Sequence, residues 1–184
     1  MTIARVNILG VGISAVNMDI ALERIEKWIA RQESHYVCVA PVHSVMECQR
    51  DPGLRRILNT SGMTTPDGMP LVWLTRLRGF PHVSRVYGPD LMLALSERSV
   101  QRGYRHFFYG GADGVPDMLG ANLCQRFPGL NVVGSYSPPF RPLTPGEESH
   151  VFLFWGHARP TGVRVDYVPD DVVPDRAVPT AYTH

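Results

Sequence analysis

The sequence predicts an α/β fold, a layered sheet flanked by helices, followed by an irregular C-terminal tail. Three observations predict it. Strand-like and helix-like stretches alternate through the first two thirds of the 184 residues. A hydrophobic content of 44% is enough for one domain with a sizeable core. Prolines at 160, 169, 174 and 179 deny the end of the chain any long regular helix.

The elements follow in order. Val6, Ile8, Leu9 and Val11 make a first strand that stops at glycine. Asn17 or Asp19 then opens a helix in which Met18, Leu22, Ile25, Trp28 and Ile29 recur at helical spacing, with Glu23, Arg24, Glu26 and Lys27 facing outward. Tyr36 to Ala40 is apolar on both sides and reads as a buried strand, and Ser44 to Leu58 as a helix with an irregularity at Pro52-Gly53. Residues 63–70 read as a loop whose Pro70 suits the first turn of a helix over Leu71 to Leu77. Pro89 and Asp90 open a further helix, with Gly103 as its C-cap. A strand from His106 to Tyr109, a glycine turn, a helix from Val115 to Arg126 and a strand from Leu130 to Val133 complete the pattern. The loop from Gly134 to Arg141 follows. The expected organisation is one α/β domain over 1–148 and an atypical tail over 149–184, with short strands at Val151–Phe154 and Val163–Tyr167.

Composition narrows the function. A formal net charge of +1 gives no reason to expect a nucleic-acid partner. Cys38, Cys48 and Cys124 are widely spaced, form no CxxC pair and suit a reducing compartment as small buried hydrophobes. His43 and His106 stand alone in sequence, and no cluster with metal-ligand spacing occurs. The first residues do not form a signal peptide, because their short apolar run is broken by Asn7, Gly10 and Gly12. No apolar run reaches the ~20 residues of a transmembrane helix. The expectation is a cytoplasmic protein, soluble or peripheral at the inner face of a membrane.

Four segments are candidates for chemistry. Thr64-Thr65-Pro66-Asp67-Gly68 holds a carboxylate between proline and glycine where α/β sheets bind ligands. Asp67 there reads equally as a general base or as a turn and cap residue. Arg85, ahead of Gly88 and Asp90, can project toward the same face and clamp a diphosphate; a surface salt bridge, for instance to Asp90, is the plainer alternative. Gly110-Gly111-Ala112-Asp113-Gly114 lies between strand and helix, as a phosphate cradle does and as an ordinary turn does. Pro138-Pro139-Phe140-Arg141 reads equally as a rigid loop that places Tyr136 or Phe140 as a stacking platform and as an ordinary surface connection. Gly10-Val11-Gly12 lacks the third glycine of a dinucleotide fingerprint and reads as a tight turn between strand and helix.

Taken together, TTPDGMPLVW, RVYGPDLM, the FFYGG strand with its GVP helix start, and FPGL with VGSYSPPFRPLTPGE resemble the bacterial WecG/TagA/CpsF glycosyltransferases, glycosyltransferase family 26. The resemblance runs in unbroken order from Ile8 to Glu148. It implies a Rossmann-like sheet and an inverting, metal-independent transferase that needs no cofactor. The donor it implies is a UDP-activated N-acetylmannosamine or a related hexose. The acceptor is an undecaprenyl-diphosphate-linked sugar in polysaccharide or teichoic acid synthesis. Asp67 matches the general base, Arg85 a diphosphate- or substrate-contacting arginine, and Gly110 and Gly111 the glycine turn near the nucleotide-sugar. Ala40, Thr65, Gly68, Gly88, Asp90, Tyr136 and Phe140 complete the substrate-binding set it implies. A homo-oligomer is compatible with it.

Two departures stand out. Ala40 occupies a position where the family usually carries threonine, which removes one hydrogen bond near the reacting sugar. After Glu148, the family's G-[TA]-P-K-Q-E motif, its later nucleotide-binding segment and its basic membrane-facing end do not appear. The Val/Pro/Asp/Arg-rich tail reads as a frameshifted or replaced terminus. The rival readings are a non-catalytic sugar-nucleotide-binding or assembly module and a dinucleotide-binding oxidoreductase using Gly10 and Gly12.

Overall fold

The computed structural model describes residues 3–139 and 141, and the backbone of a strand at Val163–Asp166. The chain is α/β, with small parallel and antiparallel sheets flanked by helices. It divides into two compact units, the first within Met1–Met92 and Val163–Pro169, the second within Leu93–Gly162 and Asp170–His184. Phe140 and nearly all of the 149–184 tail lie outside the described residues.

The first unit opens differently from the expected strand-then-helix. Two antiparallel strands, β1 (Arg5–Ile8) and β2 (Val11–Ser14), pair from Arg5 opposite Ser14 to Ile8 opposite Val11. The single strand expected through Val11 is therefore a hairpin, with Leu9 and Gly10 as its two-residue turn. Both turn residues are left-handed, at φ +52° and +83°, the backbone sense that matches the twist of paired strands. Glycine takes it freely and leucine does not. Asn7 Oδ1 accepts from the Gly10 amide at 2.9 Å. Asn59 then clasps the turn, accepting from Gly12 N at 2.8 Å and donating to Gly10 O at 2.9 Å. Gly12 lies inside β2, so Gly10-Val11-Gly12 joins two strands rather than a strand and a helix.

Helix α1 (Met18–Ala30) begins where Asn17 accepts from Ile20 N at 2.9 Å, and it buries Ala21, Leu22, Ile25 and Trp28. Strand β3 (His35–Ala40) buries only Val37 and Ala40 fully, less than its composition suggests. The helix expected from Ser44 to Leu58 is two helices, α2 (Val42–Glu47) and α3 (Pro52–Thr60). Pro52 starts the second rather than bending the first, because a proline lacking N–H is tolerated in a first turn, and Asp51 caps it by accepting from Leu54 N at 2.9 Å.

Part of the expected 63–70 loop is also strand. Strand β4 (Met63–Pro66) runs parallel to β3, with Ala40 opposite Pro66. Strand β7 (Val163–Asp166) pairs with the other edge of β3, giving the order β4-β3-β7. The hairpin joins through hydroxyls as well as apolar contacts, since Ser14 Oγ accepts from Thr64 N at 3.0 Å. Val6, Ile8, Val11, Ile13, Ala40, Val45, Cys48, Leu58 and Leu71 form its apolar cluster. Helix α4 (Met69–Leu77) follows β4 with Pro70 in its first turn, and helix α5 (Gly88–Arg102) runs on into the second unit.

The second unit pairs two parallel strands, β5 (Arg105–Tyr109) and β6 (Asn131–Tyr136), and packs α6 (Val115–Arg126) against them. A Cβ at Gly120 would meet Phe108 at 3.5 Å and Val132 at 3.6 Å, ordinary van der Waals contact, so this side of α6 lies directly on the sheet. Strand β6 runs to Tyr136 rather than stopping at Val133. Cys124 is exposed on α6, unlike the buried Cys48 and half-buried Cys38, and none of the three is in a disulfide.

Candidate active site

The carboxyl ends of β3 and β4 lie side by side, and each hands over to a helix. The Asp67 amide donates to Ala40 O at 3.1 Å, carrying the parallel pairing one residue beyond β4. Gly68 is the N-cap of α4 and makes no side-chain capping bond, so the carboxylate of Asp67 is not the helix cap. Carboxyl ends of parallel strands are where open α/β sheets expose ligand-binding groups.

The carboxylate points instead to Arg85. Arg85 Nε donates to Asp67 O at 2.7 Å and to Asp67 Oδ1 at 3.0 Å, and Nη2 reaches the same Oδ1 at 3.0 Å. The side chain of Asp67 is 6% exposed and that of Arg85 49%. A carboxylate this buried requires a countercharge, and the guanidinium supplies it while keeping part of its surface in solvent. The salt bridge considered for Arg85 is real, but its partner is Asp67 and not Asp90. Pro66 O accepts from Val86 N at 2.9 Å, and Thr65 Oγ1 reaches Val86 O at 3.4 Å, so β4 fixes the segment that carries Arg85.

Tyr87 belongs to this arrangement and was not singled out by its residue type. The Arg85 guanidinium sits 4.6 Å from the centre of its ring. Its place two residues after Arg85 was the available signal, since side chains at that spacing share a side wherever the chain is extended.

The other expected positions sort by unit. Ala40 is fully buried in the apolar cluster and meets Asp67 through its carbonyl. Thr65 is buried in β4, while Gly88 and Asp90 begin α5 just beyond Tyr87. Gly110, Gly111 and Tyr136 lie in the second unit. Gly110 N donates to Tyr136 O at 2.9 Å, and the rings of Tyr109 and Tyr136 are 5.8 Å apart. Gly110, Gly111 and Gly114 all take positive φ, but α6 begins only after Gly114. Phe140 is outside the described residues. No group of three His, Cys, Asp or Glu side chains among the described residues is arranged to hold a metal ion.

The sequence profile of the Glycosyl transferase WecG/TagA/CpsF family matches residues 6–162. The chain belongs to that family. Within the WecG/TagA/CpsF family, one relative is the N-acetylglucosaminyldiphosphoundecaprenol N-acetyl-beta-D-mannosaminyltransferase of Bacillus spizizenii (strain ATCC 23059 / NRRL B-14472 / W23). It is 27% identical over 107 residues, covering 58% of this chain and 42% of the relative. The match thus spans about two fifths of the relative's length. The TTPDGMP and RVYGPD segments that carry Asp67 and Arg85 fall inside the family match.

Proposed function

We propose that the chain is a glycosyltransferase that moves an N-acetylmannosamine-like hexose from a UDP-sugar to an undecaprenyl-diphosphate-linked acceptor at the membrane surface. The observation that carries this reading is the buried Asp67 carboxylate at the carboxyl end of β4, oriented by Arg85. Family membership supports sugar transfer, and the name of the Bacillus relative supports the lipid-linked acceptor.

In this mechanism Asp67 is the general base. The acceptor hydroxyl gives its proton to the carboxylate as its oxygen attacks the anomeric carbon, and the bond to UDP breaks with inversion. Arg85 holds the carboxylate in one orientation. Its exposed part meets the charge that develops on the departing diphosphate, a role that needs no metal ion.

The test is a transfer assay with UDP-N-acetylmannosamine and a lipid-diphosphate-GlcNAc analogue, run with and without EDTA. Turnover that survives EDTA and is abolished by Asp67→Asn is expected. Turnover indifferent to Asp67→Asn removes the base from the mechanism. The alternative that the same assay separates is a non-catalytic sugar-nucleotide-binding or assembly module. UDP binding without turnover identifies it.

A further inference from the structure

Helix α4 is apolar on two opposite sides. Leu71, Val72 and Thr75 face the core and are buried. Met69, Trp73 and Leu77 follow one another a turn apart on the far side, with Leu74 beside them, and Trp73 is 56% and Leu77 82% exposed. A surface helix normally turns charged residues outward, and one that is apolar all round normally has both faces covered. Val42 of α2 extends the apolar surface, because a Cβ at Gly68 would lie 3.0 Å from Val42 Cγ2.

Within α4 and the segment that follows it to Pro89, the charges share one sign. From Gly68 to Pro89 the chain has no aspartate or glutamate, whereas Arg76, Arg78 and Arg85 are cationic. Arg76 and Arg78 fall at the last turn of α4, flanking the apolar face. Apolar residues that include tryptophan, bordered by arginine, are the composition of a helix lying in a bilayer interface. At nine residues α4 is far too short to span one.

We propose that the outward face of α4 docks on an anionic lipid surface, with Met69, Trp73, Leu74 and Leu77 in the headgroup–acyl boundary and Arg76 and Arg78 against lipid phosphates. The Asp67–Arg85 pair stands immediately before the N-terminal end of this helix. Docking therefore brings the proposed base to the level at which a lipid-linked diphosphate emerges. The choice of a membrane as partner rests on the proposed use of a lipid-linked acceptor.

The experiment is co-sedimentation of the full chain with phosphatidylcholine vesicles, with and without phosphatidylglycerol, in the absence of donor and acceptor. Binding is expected to need phosphatidylglycerol and to weaken with salt. Leu77→Glu and Trp73→Glu are expected to weaken it about tenfold or more, because each removes a large apolar side chain from the interface. Arg78→Glu is expected to remove the preference for anionic vesicles. These positions are exposed, and an unchanged melting temperature shows that folding is intact. On the unmutated background, brominated acyl chains are expected to quench tryptophan emission, and Trp73→Phe to abolish that quenching.

Vesicle binding unchanged by Leu77→Glu overturns the proposal. So does a Leu77→Glu variant that dissociates in lipid-free buffer while its vesicle binding persists, which assigns the face to a second copy of the chain. Absence of transfer by the unmutated chain bears on the proposed function alone, because vesicle binding is read without substrates.

Discussion

A single nitrogen of Arg85, Nε, donates both to the backbone carbonyl of Asp67 and to its carboxylate. The guanidinium thereby fixes where the residue sits as well as where its side chain points. Asp67→Asn is expected to lower transfer by about a hundredfold to ten-thousandfold, the usual worth of a positioned general base. Donor binding, followed by calorimetry, should persist.

Arg85→Gln leaves the buried carboxylate without its countercharge. A loss of about 1–3 kcal/mol in unfolding free energy is expected, less than for a fully buried pair because Arg85 is half exposed. A double-mutant cycle with Asp67→Asn, read by urea denaturation, should show the two losses to be strongly non-additive. Additive losses would mean that the pair contributes nothing as a pair.

Gly68 is needed for space and not for its backbone angles, which lie in the extended region. An alanine Cβ would come within 3.0 Å of Val42 Cγ2, where the starts of α2 and α4 meet. Gly68→Ala is expected to cost about 1 kcal/mol through overpacking, and adding Val42→Ala should recover most of it. Melting temperatures of the two variants check this, and transfer rates report whether Asp67 moves with the junction.

Leu9 holds a left-handed conformation in a turn that suits Asn-Gly. Leu9→Asn places asparagine directly before Gly10 and is expected to stabilise the first unit by about 0.5–1 kcal/mol. An unchanged or lower urea midpoint would show that the exposed leucine makes a compensating contact.

Burial lowers the pKa of His106 below its ordinary 6.5, and its Nε2 meets no hydrogen-bond partner among the described residues. The unfolded chain therefore takes up this proton more readily than the folded one. The stability at stake is complete above the unfolded pKa and is lost as pH falls below about 6.5. His106→Phe should flatten this acid-side decline, measured as urea midpoints at several pH values.

Much of the fold was legible because local chemistry determines it. Asn17 caps α1, Pro70 sits in the first turn of α4, and α6 spans Val115–Arg126, each as the sequence indicates. The hairpin was not legible, because its turn places leucine where asparagine or glycine is the signal. The break before α3 was masked by Pro52, which marks a helix start as readily as an irregularity. At the site, the Asp67 segment was visible as an unusual loop, but its partner was not. Asp67 and Arg85 are 18 residues apart, and hydrogen bonds from the end of β4 to Val86 help to bring them together.

Strand β3 has a parallel neighbour on each side, β4 on one edge and Val163–Asp166 on the other. Without those four residues, the N–H and C=O groups along one side of β3 would lose their ladder. They would become a template for a strand from another molecule. The short pairing from His35 opposite Val163 to Cys38 opposite Asp166 thus makes β3 the central strand and passes that edge to β7, away from the strand whose end carries Ala40 against Asp67.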